Sequence, residues 1–131
     1  MGATKLTSEE FRKYRLKYVF LMFFVQKIIW ADDVVDQAEL DFVQEHFPQS
    51  LLSALDLTDT DALPMLLEDA LGFIPSHFTV EEKLELIGVC FGAAASTGTV
   101  NPAEVAILQV AAEKLGVSNE DLFGYIQTLL I

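Results

Sequence analysis

Helix-start signals recur along this chain, and apolar residues at helical spacing follow each of them. In a capping box, an N-cap side chain and a glutamate three residues later satisfy free amide groups in the first turn of a helix. The segments 7–10, 36–39, 79–82 and 101–104 have this form. No strand pattern of comparable length competes with them. The sequence therefore predicts an all-α fold, a single helical bundle of six to eight helices.

The first predicted helix follows a cap at Thr7 and ends near Trp30. Over residues 19–24 both of its faces are apolar, so we expect it to begin on the surface and to enter the centre of the bundle. Its uninterrupted apolar run, residues 19–25, is much shorter than the roughly 20 residues that cross a bilayer, which argues against a membrane span. The main apolar stripe consists of Phe11, Tyr14, Tyr18, Leu21, Val25 and Ile28.

Later helices are predicted from similar signals. One begins at Asp36 and stops at Pro48, a short one covers residues 50–57, and another follows with Pro64 in its first turn. We interpret residues 72–77, which contain Pro75, as a connector. Helices then follow the caps at Thr79, Asn101 and Ser118, and Gly116 ends the second of these three. The predicted buried stripe after Thr79 consists of Val80, Leu84, Ile87, Phe91 and Ala94.

An internal repeat relates the two halves of the chain. Residues 32–39 align with residues 97–104 at an offset of 65, and each copy lies between an apolar helix and an amphipathic one. We interpret the chain as one domain, residues 1–131, with a first helix-loop-helix unit at about 7–57, a connector at about 58–78 and a second unit at about 79–131. Capping and packing account for every position of the second copy.

The first copy contains more carboxylates than capping requires. Asp32, Asp33, Asp36 and Glu39 lie within eight residues, whereas the second copy keeps only Glu104. A bound divalent cation, Ca²⁺, Mg²⁺ or Zn²⁺, would offset their mutual repulsion. We therefore regard Asp32, Asp36 and Glu39 as candidate metal ligands, with capping alone as the alternative. The segment is too short to be an EF-hand loop.

Charge is distributed unevenly along the chain. Residues 1–27 hold six bases and two acids, a net charge of +4, while residues 28–131 hold two bases and eighteen acids, a net charge of −16. Such an acidic protein is a poor partner for nucleic acid. Two interpretations of the basic first helix remain open: it complements the acidic body, or it contacts an anionic membrane surface.

Other candidate groups have simpler explanations. The only cysteine, Cys90, lies in an apolar segment, which indicates a buried thiol. His46 and His77 lack partners at metal or catalytic spacing, so we expect surface or capping roles. Gly88 and Gly92 form a GxxxG pattern, which we interpret as allowing close approach of helices. No catalytic motif is recognisable, and a non-enzymatic protein is expected.

The chain resembles the TerB-like domains of tellurite-resistance proteins. The residues that carry the resemblance are 31–40 and 78–122, especially 101–104 and 113–118. The resemblance implies an all-helical adaptor of membrane-associated stress-response assemblies, with a cation bound through Asp32 and Glu39 and with Asp36 beside them. Asp33 and Thr97 depart from the family pattern, where a glycine and an acid are expected.

These observations lead to one expectation and one alternative. We expect a non-enzymatic interaction module, cytoplasmic or membrane-peripheral, that binds a protein partner of unknown identity and could form homo-oligomers. No cofactor is expected besides the cation. The alternative is a metal-dependent sensor or enzyme that uses the carboxylates of residues 32–39. The sequence names neither the metal nor the partner.

Overall fold

The structure, a computed structural model, describes residues 8–31, 36–96 and 100–129. These residues form seven helices and no strand, in agreement with the predicted all-α bundle. The helices are α1 (Ser8–Ile29), α2 (Gln37–His46), α3 (Gln49–Ala54), α4 (Leu63–His77), α5 (Val80–Ala95), α6 (Pro102–Leu115) and α7 (Asn119–Leu129).

Helix α1 forms the centre of the bundle. It packs against α4, α5 and α6, and its buried side chains occupy both faces from Val19 onward, as the sequence predicts. Phe20 and Val25 are completely buried there. One member of the predicted apolar stripe is placed wrongly, because Tyr14 is 45% exposed. It lies in the first half of α1, before the helix enters the core.

The N-caps predicted at Asp36, Thr79, Asn101 and Ser118 are present. Asp36, Thr79 and Asn101 are N-caps of α2, α5 and α6, and each forms a reciprocal capping box with the glutamate three residues later. The Ser118 hydroxyl accepts a hydrogen bond from the Asp121 amide at the start of α7. The cap predicted at Thr7 lies outside the described residues.

Helix α6 ends at Gly116, as the sequence predicts. Gly116 adopts a left-handed conformation with φ of 78°, which a residue without a Cβ atom adopts at no steric cost. The Val117 amide then donates to the Ala112 carbonyl at 2.9 Å, the bond that closes a Schellman turn. The buried Val117 side chain fixes the chain on the core at this point.

The predicted connector at residues 72–77 is wrong, because these residues form the last turns of α4. Pro75 removes a single backbone hydrogen bond, and the buried side chains of Phe73 and Ile74 hold this end of the helix on the core. Lys83 Nζ lies 2.9 Å from the Pro75 carbonyl and satisfies this carbonyl at the end of the helix, and His77 Nδ1 lies 3.0 Å from the carbonyl of Phe73.

Two glycines of α5 allow close approach, as their spacing predicts. A Cβ atom on Gly88 would lie 2.7 Å from the Tyr125 hydroxyl of α7, and one on Gly92 would lie 3.2 Å from the Phe42 ring of α2. Helix α5 thus contacts α2, which belongs to the first predicted unit, and α7, which belongs to the second. Its predicted stripe is wrong at Val80, which is 54% exposed. Val80 is the first residue of the helix, where the chain still lies on the surface.

None of the described helices combines the length and the apolar character that a transmembrane span requires.

Candidate functional site

Two of the three predicted metal ligands form the capping box of α2. The Asp36 carboxylate accepts a hydrogen bond from the Glu39 amide at 3.0 Å, and the Glu39 carboxylate accepts one from the Asp36 amide at 3.2 Å. Glu39 is only 4% exposed. Asp32, the third candidate, lies outside the described residues, and so does Asp33. The structure thus gives Asp36 and Glu39 a capping role, and the cation site stays a prediction.

The second copy of the repeat has nearly the same local geometry. The Asn101 side-chain oxygen accepts from the Glu104 amide at 2.9 Å, and the Glu104 carboxylate accepts from the Asn101 amide at 2.9 Å. Glu104 is 5% exposed. The difference between the copies is chemical, since a carboxylate at position 36 replaces the neutral amide at position 101. Capping explains both glutamates but does not require the additional negative charge.

Within the part of the chain that the structure describes, no three His, Cys, Asp or Glu side chains form a group suited to a metal ion. A cation at the first turn would therefore need oxygen ligands from residues 32–35 in addition to Asp36 and Glu39.

Burial raises the pKa of the Cys90 thiol to about 12, because the thiolate would lose its hydration. Cys90 is thus the buried thiol that the sequence predicts.

Both histidines lie at helix C-terminal ends. The His46 ring stacks on Phe42, and the His77 ring stacks on Phe73, with ring centroids 4.0 Å apart in each pair. Each Nδ1 atom lies 3.0 Å from the carbonyl oxygen of the residue four positions earlier. Both rings thus lie at helix ends, where the sequence predicts surface or capping roles.

The basic first half of α1 is paired with acids of the body. Arg12 forms an ion pair with Asp69 of α4 at 2.9 Å, and Lys13 forms one with Glu82 of α5 at 2.6 Å. The Lys13 hydrogen bond, followed by that from the Thr79 amide, holds the pKa of Glu82 below its ordinary value. These contacts agree with a helix that complements an acidic body. Contact with an anionic membrane stays a prediction.

Arg15 extends this pairing to the end of α3. Asp56 has a left-handed φ of 56°, and its carbonyl accepts a hydrogen bond from the Arg15 guanidinium at 3.1 Å. The Asp56 carboxylate lies 3.6 Å from the same guanidinium. Arg15 thus holds the turn after α3 against α1. The ion pairs of Arg12, Lys13 and Arg15 thus join α1 to the rest of the bundle.

An apolar groove on the opposite part of α1 was not anticipated from the sequence. We define the groove as two adjoining depressions that share Phe23 and Leu67. The larger one, with a volume of about 380 Å³, lies between α1, α4 and α6, and the smaller one, of about 270 Å³, lies between α1 and the start of α4. Their further lining includes Met22, Leu63, Leu71, Ile107 and Val110.

Sequence reasoning missed the groove because its walls come from residues far apart in the chain. Val110, on the wall that α6 forms, is 45% exposed. The Lys27 ammonium lies 5.0 Å from the centroid of the Phe23 ring, and Lys114 lines the same depression. The groove therefore combines an exposed apolar floor with two cations. Such a surface is suited to binding.

Comparison of the chain with protein-family models, with curated proteins and with solved structures gives no match.

Proposed function

We propose that the chain is a non-enzymatic interaction module that binds a partner protein through the groove. The observation that carries this proposal is a set of neighbouring apolar side chains from three helices that stay partly open to solvent, among them the half-buried Phe23 and Leu71 and the exposed Val110. Contiguous apolar surface that remains open to solvent is characteristic of sites that a partner covers. The groove has a rigid base, because Phe24 beneath it is buried in the core.

The resemblance to TerB-like domains supports a more specific role. We propose that the module acts as an adaptor, in the cytoplasm or at the membrane periphery, in a stress-response assembly similar to those of tellurite resistance. The resemblance depends on residues 31–40 and 78–122, especially 101–104 and 113–118. Fold resemblance alone does not carry a role in tellurite resistance, so the adaptor function needs a direct test.

Photo-crosslinking in the cells that normally contain the protein provides this test. A photoreactive p-benzoylphenylalanine replaces Val110 in the groove or, as the matched control, Val80 on α5. Both valines are exposed, so neither replacement disturbs the core. We expect light-dependent adducts with a discrete protein from position 110 and not from position 80. Absence of adducts at position 110, or the same adducts at both positions, would contradict the proposal.

A second candidate function is a metal-dependent sensor or enzyme at the first turn. The observation that favours it is the carboxylate of Asp36, which lies in one capping box with the carboxylate of Glu39, whereas the second copy has an amide there. Two carboxylates in so small a volume repel each other, and a hard divalent cation would relieve the repulsion.

Isothermal calorimetry with Ca²⁺, Mg²⁺, Zn²⁺ and Mn²⁺ tests this candidate. The second copy supplies the control, because Glu104→Gln changes the equivalent capping glutamate without touching residues 32–39. A cation site predicts binding to the wild type and to Glu104→Gln, and loss of binding in the double variant Asp32→Asn with Glu39→Gln. If no cation binds to the wild type, the metal-dependent function is excluded under the conditions tested and capping alone explains the turn.

A further inference from the structure

The groove differs in charge from the rest of this protein. The chain contains 20 acidic and 8 basic residues, yet the side chains that line the groove include two lysines, Lys27 and Lys114, and no acid. The depression near the start of α1 gives a contrast, because Glu10, Glu82 and Glu85 line it together with two lysines. An anionic ligand is therefore repelled by most of the surface and attracted to the groove.

The two groove lysines are available for a ligand. No carboxylate of the described residues lies within ion-pair distance of Lys27 or Lys114, whereas Arg12, Lys13 and Arg15 all have such partners. Lys27 and Lys114 are also exposed. Both line the larger depression and neither lines the smaller one. The positive charge is consequently concentrated at one end of the groove.

The dimensions of the groove fit one face of a short helix. Along α1 its lining extends from Val19 to Lys27, a distance of about 12 Å at 1.5 Å per residue, or about two helical turns. An amphipathic helix presents apolar side chains over this length at positions i, i+3 or i+4, and i+7. The exposed wall at Val110 leaves the groove open along its side, which suits a helix better than an enclosed small molecule.

We propose that the groove binds an acidic amphipathic helix of a partner protein. Apolar side chains of that helix lie over Phe23 and Leu67, and its carboxylates lie at one end of the apolar stripe, beside Lys27 and Lys114. This inference rests on the proposed function and specifies the chemistry of the partner. The apolar contacts supply most of the affinity, and the lysines set the orientation and exclude basic helices.

A display selection with the full chain as bait tests the inference. The library consists of 14-residue helices with an apolar stripe at i, i+3, i+4 and i+7 and with randomised charge at both ends of the stripe. Selection on the wild type is followed by depletion on Val110→Asp, which leaves only groove-dependent binders. Val80→Asp is the matched control. It must bind these sequences as the wild type does. We expect enrichment of glutamate and aspartate at one end of the stripe.

Charge reversal of the lysines gives the second measurement. For the enriched peptides we expect Lys27→Glu with Lys114→Glu to weaken binding about tenfold or more, while Lys17→Glu, outside the groove, changes it less than about twofold. Higher salt weakens binding to the wild type. Thermal unfolding of each variant verifies that these substitutions leave the fold intact.

The outcomes separate this inference from the function on which it rests. Groove-dependent binders that are neutral or basic would contradict the proposal of an acidic helix. They would still agree with the proposed interaction module. A library without groove-dependent binders overturns the helix inference, whereas the photo-crosslinking experiment decides the module itself. Two further results would replace the helix by another occupant: dodecanoate binding that Val110→Asp abolishes, or a wild-type dimer in sedimentation velocity that Val110→Asp converts to a monomer.

Discussion

Helices α2 and α6 begin with the same capping box but lie in different surroundings. Beyond its capping glutamate, α6 buries Leu108, Ala111, Ala112 and Leu115, whereas the only buried residue of α2 is Glu39. The comparison shows that a capping box determines where a helix begins and does not determine how deeply the helix is embedded. The apolar face of the helix decides the depth.

Aligned positions explain this difference. With the offset of 65 residues, the small side chains of Ala111 and Ala112 correspond to His46 and Phe47 in the first copy. Small side chains let α6 lie close to its neighbours, whereas α2 contributes a buried apolar side chain only at its C-cap, Phe47, and the rest of α2 lies at the edge of the bundle. His46 stacks on Phe42 at that edge. The first copy is thus peripheral, and the second is part of the core.

Truncation of an aligned pair of side chains tests this comparison with the largest expected effect. Leu108 in α6 is almost completely buried, and its counterpart Val43 in α2 is half-buried. We expect Leu108→Ala to lower the free energy of unfolding by about 3 kcal/mol and Val43→Ala by about 1 kcal/mol or less. Urea denaturation measures both. Equal losses would show that α2 is as deeply embedded as α6.

A substitution at Gly88 tests how closely α7 packs on α5. Gly88→Ala places a Cβ atom against the Tyr125 hydroxyl, so we expect a net loss of about 1 kcal/mol after the better helix propensity of alanine is included. In a Tyr125→Phe background the same change should be neutral or stabilising, because the hydroxyl is gone. Thermal denaturation of the four proteins measures this coupling. An equal loss in both backgrounds would exclude the close contact.

The two caps should contribute equally if capping is their main role. Asp36→Ala and Asn101→Ala each remove the acceptor for the amide of the third helical residue, so we expect each to cost about 1 kcal/mol in urea denaturation. A gain of stability in Asp36→Ala alone would show that carboxylate repulsion in the first copy exceeds the value of its cap. Such a result would strengthen the case for a cation.

The smallest expected effect concerns the half-exposed capping box of α5. Because Lys13 lowers the pKa of Glu82 in the folded protein, this pair stabilises the fold at neutral pH, and its contribution disappears as the pH falls through the lowered pKa. Lys13→Met should cost less than about 1 kcal/mol at pH 7 and less still at pH 3. Denaturation at the two pH values measures it. A cost that grows toward low pH would contradict the assignment.

The sequence predicts the helix boundaries well because capping and termination are local. Asn101, Pro102, Glu104 and Gly116 specify both ends of α6 without reference to the rest of the chain. The continuation of α4 through Pro75 could not be predicted in the same way, since it depends on burial of Ile74 and on the contact from Lys83.

The groove is the clearest case of a feature that only the tertiary structure reveals. Its walls bring together Phe23, Leu67 and Val110. More than forty residues of the chain separate each of these three from the next. The sequence does contain a weak signal. Lys27 and Lys114 lie next to apolar stripes, but their proximity to one groove follows from the packing of α1 against α4 and α6.

Native-state hydrogen exchange tests the central comparison most directly. Amides of α6 should exchange only through global unfolding, while amides of α2 should exchange through a local opening that is at least about 2 kcal/mol less costly. The exchange rates of the Val43 and Leu108 amides are measured at a series of low denaturant concentrations. These rates compare the two aligned positions. Equal protection of the two amides, with the same denaturant dependence, would contradict a peripheral first copy and an embedded second one.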